Sequence, residues 1–236
     1  MSIRCIGALT VVLAFALTPA GPGWTASLPA GFVETAVGSD WDQVAGLTFD
    51  GDGRMFVWER GGKVWIVEDG IKRAQPFLDI SEEVGGWRDY GLLGFALHPD
   101  FAHTGHVYLL YVVDHHHLTK FGTPDYDPGA NEYFRATIGR ITRYTAQAPP
   151  GDDHYDHATS IDPATRKVLV GESIGTGFPI LHQSHGIGTM FFGTDGTLLA
   201  SCGDGASYSS VDTGGAEGSQ GSGSYYAQGL AEGIIR

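Results

Sequence analysis

Cysteine is almost missing from this chain of 236 residues: Cys5 and Cys202 are the whole supply. Cys5 falls in a leader-like segment, so the remaining chain holds one thiol and cannot close an internal disulfide. Packing must hold the fold instead. Cys202 ends the apolar run Thr197–Cys202 and reads as a small buried hydrophobe. Basic residues are also scarce, with 14 Lys and Arg against 27 Asp and Glu, a formal net charge of −13. That balance argues against nucleic acid or an anionic membrane surface as a partner, because both need clustered cations. Long hydrophobic runs are absent beyond the N-terminus, so no membrane span is expected after the leader is removed. No amphipathic helix of useful length stands out, and the best stretch for one is Tyr226–Arg236.

The leader is read from residues 1–26. Arg4 supplies a basic start, Ile6–Leu17 an apolar stretch of 12 residues, and Thr18 and Ala20 a cleavage pattern, with a second possible cut after Ser27. This is the pattern of a secretory signal peptide, and it is short for a transmembrane anchor. Cys5 precedes the apolar stretch and is not placed for lipid attachment. A secreted or periplasmic location follows as an expectation, with residues 27–236 forming the folded part.

Glycine is abundant, 36 residues or about 15 %, roughly double the usual share. Combined with 42 % hydrophobic and 11 % aromatic residues, this suggests many tight turns between short strands rather than disorder. Three segments repeat one design: Gly46–Val57, Gly94–Phe101 with His106–Val112, and Gly188–Ala200. Each is an apolar strand, a turn built on Asp, Gly or Pro, and a second apolar strand, as in a β-hairpin. The first two begin 48 residues apart and the last two 94, twice 47. A period of 40–50 residues made of short strands is the mark of a β-propeller. Ile138–Tyr144 reads as a strand, and insertions are expected to hide a further repeat near residue 141. His115–Arg135 and Gly203–Gly223 read as long loops, either functional or flexible.

The third hairpin carries the candidate chemistry. His185 stands just before its first strand, and Asp204 just after its second, so both fall at one rim. A rim histidine with one free nitrogen can take a proton, and a carboxylate can orient it. An ordinary rim histidine beside a turn-closing aspartate is the blander reading of the same residues.

Two blocks carry a family resemblance. Gly91-Leu-Leu-Gly94-Phe-Ala-Leu-His98-Pro-Asp100-Phe101 is one, and the His185 block, with Gly188, Gly193, Asp195, Gly196 and Gly203-Asp204, is the other. Together they resemble the glucose/sorbosone dehydrogenases, soluble quinoproteins that use pyrroloquinoline quinone. The resemblance runs over about residues 28–236 and implies an all-β, six-bladed β-propeller. It implies that His185, rather than His182, is the general base toward an aldose-type hydroxyl, since only His185 has Gly at +3 and +8 and Asp at +10. It assigns Asp204 as that base's support, because a carboxylate beside imidazole favours the protonated ring. Pyrroloquinoline quinone and calcium are the implied cofactors, with a sugar or polyol as substrate and a soluble electron acceptor.

Some positions depart from the pattern. Asp89 stands where glucose-oxidising relatives tend to carry an amide, and Ser184 where they tend to carry an acid. Both are read as substrate contacts. After Gly205 the chain reads Ala-Ser-Tyr-Ser, without the family's Arg-Asn pair. These departures support the alternative, a non-catalytic propeller that binds or scaffolds. Hydrolysis or lactone chemistry lacks suitably paired acids. His115-His116-His117 reads as solvated loop, Asp125–Asn131 lacks the Gly and Glu of an EF-hand, and Asp152–His157 reads as exposed loop. Trp41, Trp58, Trp65 and Trp87 read as core or rim packing rather than as a sugar-stacking platform. After the leader, about 210 residues would make about four and a half such units. The expectation is therefore the N-terminal part of a propeller, with the base present and the cofactor site incomplete.

Overall fold

The computed structural model describes residues 28–205 and 225–235. The leader and most of Gly203–Gly223 lie outside the described residues. Residues 28–36 belong to a unit of their own, where Phe32 N–H donates to Pro29 O at 3.1 Å and closes a turn.

The rest is all-β, with three short helices among the described residues. The first sheet runs β1 (Val44–Phe49), β2 (Met55–Glu59), β3 (Lys63–Glu68) and β4 (Ile71–Lys72), with β5 (Leu78–Asp79) also on β3. The second has the order β10 (Phe178–Ile180), β8 (Thr137–Ala146), β7 (His106–Val112), β6 (Leu92–Leu97), with β9 (Ile161–Val170) also on β8. The third is the pair β11 (Ile187–Phe192) and β12 (Leu198–Cys202). All pairings are antiparallel, and no sheet closes on itself among the described residues. These are successive blade-like sheets, as the incomplete propeller reading requires.

The three repeated hairpins open the three sheets. Each has a register shift near its start, at Val44/Gly46, Leu92/Gly94 and Ile187/Met190. The repeated glycines lie where neighbours crowd the strand. A Cβ on Gly46 would lie 2.2 Å from the Trp58 ring, and one on Gly188 2.3 Å from Ser201 Oγ. One on Gly94 would lie 3.0 Å from both Leu110 Cβ and Met190 Cβ. The period is therefore that of one bulge per sheet.

One expectation needs correcting. Residues 138–144 are the middle of β8, the third strand of the second sheet, so no hidden repeat begins there. The doubled spacing reflects one sheet enlarged by long connections. One connection is α2 (His115–Lys120), whose start is capped by Asp114 accepting from His116 N–H at 2.8 Å. The three histidines are thus helical, with His115 and His117 buried, rather than solvated loop.

Alternation along β7 separates two cores. Leu109 and Tyr111 face Phe56, Ile66 and Phe95 of the first two sheets, while Leu110 and Val112 join Ile187 and Met190 of the third. Between the sheets Glu83 is buried against Arg140, Arg166 and the Tyr111 hydroxyl. Nothing among the described residues covers the outer side of β12, so Cys202 is exposed rather than buried.

Candidate functional site

Strand pairing sends several connections to one rim. Leu92 pairs Tyr111, Val112 pairs Gly139, Ile180 pairs Thr137, and Ile187 pairs Cys202. The segments before β6, between β7 and β8, between β10 and β11, and after β12 therefore emerge together. The first sheet joins them through Arg60, whose carbonyl accepts from Leu92 N–H at 2.9 Å. His185, Asp204, Asp89 and Ser184 all belong to this rim.

His185 has φ 55, a left-handed conformation that is unusual for a non-glycine residue. Its carbonyl accepts from Gly205 N–H at 2.8 Å, and Gly203 N–H donates to Gly186 O. This backbone clasp brings Asp204 back to the ring, with His185 Nδ1 and Asp204 Oδ1 3.0 Å apart. An ionised carboxylate only accepts, so with Asp204 ionised and the ring neutral this contact would place the proton on Nδ1 and the lone pair on Nε2. The His185 side chain is about half exposed (48 %).

Beneath it lies His182, fully buried, with its ring stacked on Tyr225. Burial pushes the His182 pKa down, nearby His185 pushes it the same way, and Asp89 opposes them. Ser184 is buried as well, its hydroxyl 2.9 Å from His182 Nδ1, so it faces inward from the chain just before His185. Asp89 is exposed, and its N–H donates to Gln183 O at 3.3 Å. Tyr90, which carried no signal of its own in the sequence, donates from its hydroxyl to His182 O at 3.2 Å. Arg60 donates to the carbonyls of Gly86 and Arg88 and braces the same loop. A Cβ on Gly91 would lie 2.2 Å from Arg60 Cγ, a physical reason for glycine at the head of the Gly91–Gly94 motif.

Other sequence candidates lie elsewhere or act structurally. Asp152, Asp153 and His154 could offer three ligand atoms within 4.8 Å of one another, but two of the three are exposed and they sit in a separate loop. His115 is held between Glu132 and Glu232, the latter just beyond α3 (Tyr226–Ala231). Trp58 is core, and Lys72 lies over the rings of Trp41 and Trp65 at 4.2 and 4.0 Å.

Residues 41–125 match the family described as Glucose / Sorbosone dehydrogenase. That stretch is glucose/sorbosone dehydrogenase-like. It includes the Gly91–Phe101 motif and ends before His185. The HIPL2 protein of Arabidopsis thaliana is 26 % identical over 179 residues, covering 68 % of this chain and 25 % of that protein. The Hedgehog-interacting protein of Homo sapiens is 28 % identical over 170 residues, covering 69 % of this chain and 21 % of that protein. The chain thus spans about a quarter or less of these relatives. Among solved structures, the PQQ-bound aldose sugar dehydrogenase of Streptomyces coelicolor is 19 % identical, with a TM-score of 0.47 over 75 % of this chain and 43 % of that one.

A tricarboxylate quinone and its cation would need converging cations and oxygen ligands. Arg60 is committed to two carbonyls, and the described rim residues contain no group of three acidic or imidazole ligand atoms. The described residues alone do not form a cage for that cofactor. Among the described residues, no helix is long and apolar enough to cross a membrane.

Proposed function

We propose that this chain contributes the proton-accepting part of an exported quinoprotein dehydrogenase acting on an aldose-type hydroxyl. The His185–Asp204 pair on an open rim carries the reading. In it, His185 Nε2 takes the hydroxyl proton, while Asp204 holds Nδ1–H and so fixes the tautomer. Asp89 contacts substrate hydroxyls, and Ser184 acts from beneath by holding His182. Pyrroloquinoline quinone with calcium would accept the hydride, bound by residues outside the described set. The test is dye reduction by the purified protein with added quinone, calcium and aldoses, compared with His185→Gln. Quinone binding without any aldose or polyol turnover would remove the enzymatic reading.

A second reading is a non-catalytic module of the same fold that binds another protein. It is favoured by the incomplete donor set at the rim and by relatives that include a protein named for interacting with Hedgehog. A quinone absorbance change on titration would exclude this second reading, because such a module gives none.

A further inference from the structure

We propose that Trp87, Tyr133 and Phe134 form a stacking platform for the ring of a neutral pyranose, beside His185. This rests on the sugar-oxidising reading and adds the surface that would position the ring. Two connections supply it, the one before β6 and the one before β8. The Trp87 ring lies 5.1 Å from Tyr133 and 4.7 Å from Phe134, at interplanar angles of 45° and 58°. On its inner side Trp87 meets Tyr90 edge-on at 5.2 Å, so it is anchored to the second core, the one shared with Ile187 and Met190.

The outer two rings make little sense as packing. Tyr133 is 49 % exposed and Phe134 60 %. Phe134 also has φ 59, and Arg88 beside Trp87 has φ 53, conformations that bulky residues rarely adopt. An exposed aromatic held in a costly backbone conformation breaks two local rules together. Such violations concentrate at functional surfaces. Both connections are also braced. Arg60 ties down Gly86 and Arg88, and Gln228 Oε1 accepts from Ala136 N–H at 2.9 Å.

The chemistry fits a sugar. A pyranose presents an apolar C–H face to aromatic rings and hydroxyls at its edge, and pockets of this kind combine apolar walls with few polar groups. Asp89 is two residues from Trp87, and its backbone joins Gln183, two residues before His185. Tyr90 joins the platform to His182. A ring lying on Trp87 is thereby placed beside the base. The net charge of −13 disfavours phosphorylated or acidic sugars, despite Arg88 in the loop.

The test uses methyl β-D-glucopyranoside, which has no free anomeric hydroxyl and so is bound without being oxidised. Saturation-transfer NMR and tryptophan fluorescence on the whole 236-residue chain, without quinone, should show binding. Trp87→Ala should weaken it about tenfold or more. Phe134→Ser, at an exposed side chain that belongs to neither core, should weaken it too, whereas His185→Gln should retain it. Glucose 6-phosphate should bind less well than glucose. Absence of glycoside binding, or unchanged binding in folded Trp87→Ala and Phe134→Ser, overturns the platform. Binding that depends on Trp87, with quinone shown to bind the protein and no oxidation of free glucose, supports the platform and removes the dehydrogenase reading instead.

Discussion

A methyl group on Gly203 would lie 2.2 Å from the carbonyl oxygen of His185. The return strand therefore seats directly on the backbone of the candidate base, and backbone contact sets the Asp204–His185 distance. Gly203→Ala should pull the pair apart and cost about 1–3 kcal/mol of stability, the usual range for overpacking. Denaturant melts measure the stability, and imidazole NMR reports the pair.

Asp204 should also set the tautomer of His185. In the native protein, nitrogen-15 NMR should find the proton on Nδ1. Asp204→Ala should give a mixture of tautomers with little change in melting, because both side chains are largely exposed. In quinone-supplied assays, His185→Gln should lower turnover about 10²–10⁴-fold, the range for loss of a general base.

Glu83 is a buried carboxylate held by the cations of Arg140 and Arg166. Burial alone would raise its pKa, but Arg166 and Arg140 together with the Tyr111 hydroxyl outweigh burial and lower it. Glu83→Ala would leave Arg140 buried without its partner and should cost about 3–5 kcal/mol. Urea melts of this variant and of Arg140→Met check it, since the second removes the buried cation and should cost less.

Stability should fall on both sides of a neutral plateau. Burial lowers the pKa of His182 and of His117, so the unfolded chain takes up protons there that the native chain refuses. Stability should decline as pH drops below the ordinary histidine value of 6.5. The lowered Glu83 adds a second loss below its ordinary 4.5. Burial raises Tyr90 and Tyr111, so unfolded tyrosines ionise first and stability should fall above 10. Thermal melts from pH 4 to 11 would trace the curve. Replacing His182 and His117 should flatten its first acid step.

The hairpins were legible because turn residues and alternation are local signals, and β1–β2, β6–β7 and β11–β12 appear where the sequence places them. The pairing of His185 with Asp204 followed from those hairpins, since both residues flank one of them. What escaped depends on tertiary neighbours. Pro163 inside β9 reads as a strand breaker, yet β9 is a partly exposed strand that, among the described residues, pairs only with β8. The helix at His115–Lys120 depends on one capping aspartate. Tyr90 and the rings of Tyr133 and Phe134 gained meaning only when distant connections met, and the signal the sequence offers is limited to aromatics beside sheet starts, Trp87 before β6 and Tyr133-Phe134 before β8.

The outer side of β12, which nothing among the described residues covers, has a colloidal consequence. Leu198–Cys202 contains neither a charge nor a proline, and Phe191 and Leu199 are about half exposed beside it. Natural edges usually carry such residues to discourage strand addition from other molecules. Here the restraint on association is long-range repulsion between molecules that each carry −13. Salt shortens that repulsion to about 8 Å at physiological strength. Self-association through this edge should therefore strengthen as salt rises, and a lysine at Leu199 should suppress it.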